Sequence, residues 1–245
     1  MMNLGKLIEQ VKDNVIFILI SIIIMVAVFA IAKVSEKLIE KKTGVKFNQA
    51  KTRINRMTVI AMLSALAFIL MFFEFPVPFI APPSYKLDLS EVPVFIGAFM
   101  FGPVAGVVIE GVKILLFIVI KGTSSVFVGE FANFTLGCFF VIPAAIIYSY
   151  KKNKKNAIIG MIVGGLVLVI SGCFMNAYYL LPKYSELYGI PMASLIQAGY
   201  EVNHNITDIF SYVALAVAPF NILKATLVGV VTGVLYKYVS KIIKN

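Results

Sequence analysis

Charged side chains are scarce in this chain of 245 residues: they make up 14% of it, against 60% hydrophobic residues. Soluble domains are about a quarter charged and about half apolar, so the composition excludes an ordinary soluble domain and indicates an integral membrane protein. Potential metal ligands are also few, because the chain has one histidine, His204, and two cysteines, Cys138 and Cys173, without CxxC spacing. We therefore expect small buried thiols and no metal site.

Nucleotide-binding and catalytic signatures are missing as well. The chain has no GxxxxGK[ST] sequence to bind nucleotide phosphates, and no HExxH or GxSxG sequence. A single histidine leaves most general-base and zinc chemistry without its residues. We therefore expect a binding protein or carrier rather than an enzyme.

The net charge of +10 is concentrated in three places. Eight of the 22 Lys and Arg residues lie between Lys33 and Arg56, four in KKNKK at 151–155, and three between Lys237 and Lys244. These clusters flank apolar runs, as the positive-inside rule describes. The basic excess therefore indicates topology and contact with anionic membrane lipids, and we expect no nucleic-acid partner.

Seven apolar runs predict seven helices. They lie at about 14–32, 57–73, 92–109, 103–120, 130–150, 156–181 and 209–236; the third and fourth are one stretch that FGP at 101–103 divides by a turn. The predicted fold is an all-α integral membrane protein with one additional N-terminal transmembrane helix before a six-helix core. Residues 1–56 would form that helix and a basic cytoplasmic linker, and 57–245 the membrane domain.

Orientation follows from the basic clusters. With all three on the cytoplasmic face, the N-terminus lies outside and the C-terminus inside. Two outer loops then stand out. Residues 73–93, the proline-rich loop, carry five prolines, so we expect a stiff lid packed partly on the bundle. In the second outer loop, 182–208, the apolar spacing from Pro191 to Tyr200 predicts a short interfacial helix.

One cation interrupts the last apolar run, since Lys224 is the only charged residue between Ile209 and Tyr236. A lysine in mid-helix costs about 2.5–3.5 kcal/mol to insert. Three interpretations are open: the side chain snorkels to the interface, makes an internal structural hydrogen bond, or faces a ligand. Asn221, three residues earlier, lies on the same helix face and favours the ligand.

Other polar residues in apolar helices have similar alternatives. Asn176 and Asn133 either line the same cavity or bind neighbouring helices. Glu130 either faces that cavity or caps its helix. Glu110 and Lys113, three apart, predict a structural ion pair. A capping role is predicted for Asp88 and Glu91 at the start of the third run.

Four stretches, in order, resemble the substrate-binding (S) components of energy-coupling factor (ECF) vitamin transporters, and within them the riboflavin-specific group. They are FPVPFIAPPSYKLDLSEVPVFIGAFMFGPVAGVVIEGVK, VGEFANFTLGCFFVIPAAIIY, MNAYYLLPKY and APFNILKA. The resemblance covers residues 57 to about 240, and the N-terminal helix lies outside it. It implies a six-helix membrane protein of a prokaryotic cell, whose outward pocket is closed by the proline-rich loop. Such a protein captures riboflavin as the transported ligand and has no cofactor.

The resemblance also implies residue roles. In this family, the polar residues of an NxxK pattern on the last helix and an asparagine on the fifth core helix contact the vitamin. The corresponding residues here are Asn221, Lys224 and Asn176. The AxxxA pattern implies that Ala61 and Ala65 contact a transmembrane coupling subunit. Two ATPases would complete the complex. The expected ligand-binding set also includes Asn133 and, from the same stretches, Tyr85, Lys86, Gly129, Glu130 and Tyr179.

Competing functions remain open. The same scaffold could bind another vitamin or FMN, in which case Lys86 and Lys183 would matter at the pocket mouth. A membrane enzyme acting on lipids would use Asp208, His204 and Glu201, although their spacing matches no catalytic pattern. A purely structural subunit would leave Lys224 without a function.

Overall fold

The computed structural model describes residues 15–47, 53–123, 125 and 127–244. Its helices are α1 Val15–Thr43, α2 Arg53–Phe72, α3 Glu91–Phe101, α4 Pro103–Lys121, α5 Val128–Tyr150, α6 Lys154–Met175, α7 Leu181–Tyr188, α8 Met192–Val202, α9 Ile209–Tyr212 and α10 Ala218–Lys244. Two π-helical turns, Asn176–Leu180 and Val213–Val217, join α6 to α7 and α9 to α10. The predicted all-α membrane fold, with a helix before a six-helix core, is confirmed.

Five of the described helical segments are long and apolar enough to cross a membrane: α1, α4, α5, α6 with α7, and α9 with α10. The chain is therefore a multi-pass membrane protein. Two further apolar segments are shorter: Arg56–Phe72 within α2, and Glu91–Phe101, which is α3. With 11 residues, α3 rises only roughly 16 Å, about half the hydrocarbon thickness of a bilayer.

Helix α3 is the centre of the bundle and packs against α2, α4, α5 and α10. Nearly all of its residues from Glu91 to Phe99 are buried. Phe95 packs edge-on against Phe140 of α5, and Phe99 packs at a tilt against Tyr148, with ring centroids 4.6 and 4.5 Å apart. A helix that is apolar on all sides needs to be enclosed in this way. Because α3 begins with Glu91, its burial places that carboxylate in the middle of the protein.

Helices α5 and α6 approach closely because glycines face the contact. A Cβ on Gly160 would lie 2.7 Å from the carbonyl oxygen of Ala144, and one on Gly164 would overlap the carbonyl oxygen of Phe140. Small residues spaced four apart let two helix backbones approach closely in this way. Ala61 and Ala65 of α2 are not used for packing inside the bundle in this way, because both are exposed on its surface.

Two short strands, β1 Phe75–Pro76 and β2 Lys86–Leu87, pair antiparallel within the proline-rich loop. Val77, Ala81 and Leu87 are buried against residues of α9, α10 and their π-helical turns. The loop is thus packed on the bundle, as predicted.

The second outer loop contains more helix than predicted. Helix α7 continues α6 beyond residue 181 through the π-helical turn at Asn176–Leu180. Pro182 follows this turn and lies in the first turn of α7, where no amide donor is needed. Helix α8, Met192–Val202, confirms the predicted short helix in this region.

The predicted Phe-Gly-Pro turn between α3 and α4 is confirmed. Gly102 has φ of 98°, a conformation that side-chain-bearing residues rarely adopt, and Pro103 begins α4. A Cβ on Gly102 would lie 2.6 Å from Oε1 of Glu36 and from the ring of Phe47. The same Glu36 oxygen accepts a hydrogen bond from the Val104 amide at 3.0 Å, so the end of α1 is fixed to the start of α4.

We predict that Gly102→Ala destabilises the protein by about 1–3 kcal/mol for the backbone strain, with a further cost for displacing Phe47 and Glu36. The matched control is Gly122→Ala, which has a positive φ of 81° but no heavy atom within 4 Å of the added Cβ. Thermal unfolding in detergent should show a larger loss for Gly102→Ala. Equal losses would mean that the contacts with α1 and the linker contribute nothing.

Candidate substrate-binding site

Lys224 lies inside the bundle and pairs with acidic residues from the start of α3. Its Nζ is 3.3 Å from Oδ2 of Asp88 and 4.0 Å from Oε1 of Glu91. Its side chain is 13% exposed. Snorkelling is therefore the wrong interpretation, because the ammonium is neutralised where it lies.

A second buried lysine completes this arrangement. Lys113 of α4 is 2.5 Å from Glu110, which confirms the predicted ion pair, and 3.0 Å from Glu91. Its Nζ also donates to Ser90 at 3.2 Å and to Oδ1 of Asn133 at 3.3 Å. We call the five charged residues Asp88, Glu91, Glu110, Lys113 and Lys224 the charge cluster.

Asp88 holds the proline-rich loop to the charge cluster. Besides pairing with Lys224, its Oδ1 accepts the amide of Ser90 at 2.7 Å. Burial by itself raises the pKa of Asp88, but the ammonium groups of Lys224 and Lys113, with hydrogen bonds from Ser90, outweigh it and lower that pKa below its usual value. The carboxylate is thus ionised at neutral pH.

Two amides extend the polar region along α6 and α10. Asn176 donates to the carbonyl oxygen of Gly172 at 2.8 Å and accepts from the Tyr85 hydroxyl at 2.5 Å. Asn221 packs on Gly172, where an added Cβ would lie 2.4 Å from its Nδ2. Asn176 opens a π-helical turn, a feature often found at functional sites. Tyr85 therefore bridges the proline-rich loop to this turn.

Glu130 and Gly129 begin α5 next to the loop that precedes it. The hydroxyls of Thr123 and Ser125 in that loop donate to Oε2 of Glu130, at 3.0 and 2.9 Å. The Gly129 amide donates to Ser125 at 2.8 Å. Glu130 thus orders the start of α5, and Asn133, one turn further, connects this region to the charge cluster.

Residues 55–236 match the protein family described as the ECF transporter substrate-specific component. The chain belongs to this family. It is 35% identical to the riboflavin transporter RibU of Staphylococcus aureus over 191 residues, 78% of this chain and 93% of the relative. It is 29% identical to the riboflavin transporter FmnP of Bacillus subtilis over 185 residues, 75% of this chain and 91% of the relative.

A solved structure, described in work on the structure and mechanism of the S component of a bacterial ECF transporter, has a similar fold. The TM-score is 0.62 at 35% identity, covering 79% of this chain and 99% of the other. This S component is therefore part of a transporter, and the prediction of a carrier rather than an enzyme is confirmed. S components work with an energy-coupling module and bind their vitamin substrate.

Two residues of the expected ligand-binding set lie apart from the others. Lys86 is 45% exposed and pairs with Glu74 at 2.9 Å, an acid that also binds Lys121 at 2.7 Å. Tyr179 packs on Phe17 of α1, with ring centroids 5.9 Å apart. Lys86 is therefore placed at the edge of the proline-rich loop, and Tyr179 in the contact with the additional helix.

The sequence predicted that Asp88 and Glu91 cap α3, but among the described residues no side-chain hydrogen bond caps this helix, and both carboxylates pair with buried lysines instead. A charge count could have found them: two lysines and three acids lie in otherwise apolar helices or next to one. Since a lone buried charge is costly, such residues are expected to meet in one place.

Gly137 of α5 makes room for the carboxylates of the charge cluster. A Cβ at this position would lie 2.4 Å from Oε1 of Glu110 and 3.1 Å from Oε1 of Glu91. Neither carboxylate can move far, because both are held by Lys113.

We predict that Gly137→Ala destabilises the S component by about 1–3 kcal/mol, the usual cost of overpacking a filled interior. The control is Gly111→Ala, whose added Cβ would make an ordinary contact of 3.7 Å with Phe134. Thermal unfolding in detergent compares the two. A Gly137→Ala protein as stable as the control would contradict the tight enclosure of these carboxylates.

Proposed function

We propose that this chain captures riboflavin from outside the cell and delivers it through a shared ECF energising module. The observation that carries the proposal is the arrangement of Lys224 and Asn176 beneath the proline-rich loop: Asp88 of the loop pairs with the ammonium, and Tyr85 of the loop donates a hydrogen bond to the amide of Asn176. Relatives named as riboflavin transporters, at 35% and 29% identity, support this choice of vitamin.

The chemistry of riboflavin suits these residues. Its ring has carbonyl and imide groups, and its ribityl tail is neutral, so Lys224, Asn221 and Asn176 would act as placed donors and acceptors. Aromatic side chains nearby would contact the flavin ring. The Tyr85 ring centroid lies 5.5 Å from that of Phe220 and 6.3 Å from that of Tyr212. Asn133, Gly129 and Glu130 would form the α5 side, with Lys86 and Tyr179 at the periphery.

FMN is the nearest alternative ligand, and its phosphate would need free cations at the mouth. Both candidate cations are already paired: Lys86 with Glu74 and Lys183 with Glu186, each at 2.9 Å. This favours the neutral vitamin. Competition of FMN with riboflavin discriminates the two.

The partners would be a transmembrane coupling subunit and two ATPases. Exposed Ala61 and Ala65 on α2 would contact the coupling subunit, because small residues four apart let helices approach closely. The basic clusters support a cytoplasmic C-terminus and an N-terminus outside.

Lys224→Met should weaken riboflavin binding by about tenfold or more, since a lost charged hydrogen bond is worth about 1.5–3 kcal/mol. Quenching of riboflavin fluorescence by purified protein measures the affinity. Lys155→Met, which changes an exposed lysine at the start of α6, should bind as the unchanged protein does. Unchanged affinity in a folded Lys224→Met protein would remove Lys224 from the site.

Tyr85→Phe should accelerate riboflavin release by about two- to tenfold, because it removes one hydrogen bond of about 0.5–1.5 kcal/mol while keeping the ring. Stopped-flow fluorescence after dilution measures the release rate. Tyr178→Phe serves as the control, since Tyr178 lies in the same π-helical turn as Asn176 and is 63% exposed. An unchanged release rate in Tyr85→Phe would show that its hydroxyl does not hold the proline-rich loop closed.

A further inference from the structure

A basic cleft lies at the end of the bundle opposite the candidate site. It has a volume of about 250 Å³ and lies between the α1–α2 linker, the start of α2, the end of α3 and the α5–α6 loop. Its lining consists of Val45, Lys46, Phe47, Arg56, Met100, Phe101 and Lys152. Three of these seven side chains are cationic and none is acidic. The charge cluster and the proline-rich loop take no part in it.

Arg56 is fixed within the cleft by backbone contacts. Its Nη1 donates to the Phe47 carbonyl, its Nη2 to the Phe101 carbonyl at 3.3 Å, and its guanidinium lies 5.9 Å from the Phe101 ring centroid. An arginine has five N–H donors, so these two bonds orient the group and leave three donors for an anion.

Lys152 and Lys46 are not held by backbone contacts as Arg56 is. Neither forms a hydrogen bond or ion pair with any residue in the described part of the chain. Lys152 is half-buried, and burial lowers its pKa below the usual value for lysine. Burying an ammonium without a counter-charge is unfavourable, so an anion in the cleft would stabilise it.

Two acids of α1 lie beside the cleft, and one of them, Glu36, interacts electrostatically with Arg56. Glu36 accepts from Val104 at 3.0 Å, and Glu40 accepts from Phe47 at 2.9 Å. They hold the linker and the start of α4 in place. Neither contributes to the cleft lining.

We propose that this cleft binds the phosphate of an anionic phospholipid headgroup. Inorganic phosphate shares the anion chemistry, but two features favour a lipid. Val45, Phe47, Met100 and Phe101 give the cleft an apolar wall, which suits the glycerol and first acyl carbons. The cleft also lies where transmembrane helices end among lysines, which is the depth of lipid headgroups.

The test uses the full chain purified in mild detergent, with phosphatidylglycerol and phosphatidylcholine as probes. Native mass spectrometry counts retained lipids, and thermal unfolding measures stabilisation by each lipid. The unchanged protein should retain phosphatidylglycerol in preference to phosphatidylcholine. The variant Lys46→Gln/Lys152→Gln should lose about tenfold in phosphatidylglycerol affinity, because each cation near the membrane surface contributes appreciably to anionic-lipid binding. Arg56 is left in place, since it also supports the backbone.

The control, Lys154→Gln/Lys155→Gln, removes the same charge from exposed lysines next to the same loop and should retain the lipid preference. An equal loss in both variants would overturn the site in favour of diffuse attraction. Absence of any preference for phosphatidylglycerol would overturn the proposal outright. Stabilisation by inorganic phosphate alone, lost in the Lys46→Gln/Lys152→Gln variant, would reject the lipid and assign the cleft to a free anion.

Discussion

The neutralisation of two buried lysines by three carboxylates determines how the centre of this S component is built. Lys113 and Lys224 come from α4 and α10, whereas Asp88 and Glu91 come from the proline-rich loop and α3. Removing one partner from a buried ion pair costs about 3–5 kcal/mol, because the remaining charge has no solvent. The loop and the three helices therefore cannot separate independently. Lys113 also donates to Asn133, so the charge cluster sets the position of the α5 side of the candidate site.

The proline-rich loop is attached to the bundle by contacts of different strength. At the α3 end of the loop, Asp88 forms an ion pair with Lys224. In the middle of the loop, Tyr85 donates one hydrogen bond to Asn176 and packs against aromatic rings. At its α2 end, Glu74 pairs with the exposed lysines Lys86 and Lys121, and exposed pairs contribute little. Movement of the loop would thus begin with the hairpin and leave the segment around Asp88 in place.

Much of this fold was predictable because membrane insertion leaves a strong pattern in sequence. Long apolar runs, Gly102 before Pro103 and the three lysine-rich clusters each have a direct physical meaning, so helices, turn and fold class follow. The charge cluster was less predictable, since its members are up to 136 residues apart and spacing along one helix reveals only the Glu110–Lys113 pair. The π-helical turn at Asn176 was not predictable either, because nothing in NAYYL distinguishes an extra residue per turn from a regular helix. Pro182 follows that turn and lies in the first turn of α7, a position where proline is accepted.

The shortness of α3 has a consequence for permeability. At roughly 16 Å, its 11 residues occupy about half of the membrane thickness, and the proline-rich loop fills the remainder on one side. If the hairpin of that loop lifted, water would reach the level of Asp88 and Glu91. The barrier to solute leakage then consists of α3 with its enclosing aromatic residues, Phe95, Phe99, Phe140 and Tyr148. Entry of solute to this depth would then open no continuous path, because the other side is closed by these four rings and by Tyr236 of α10, which packs on Phe99 and Tyr148.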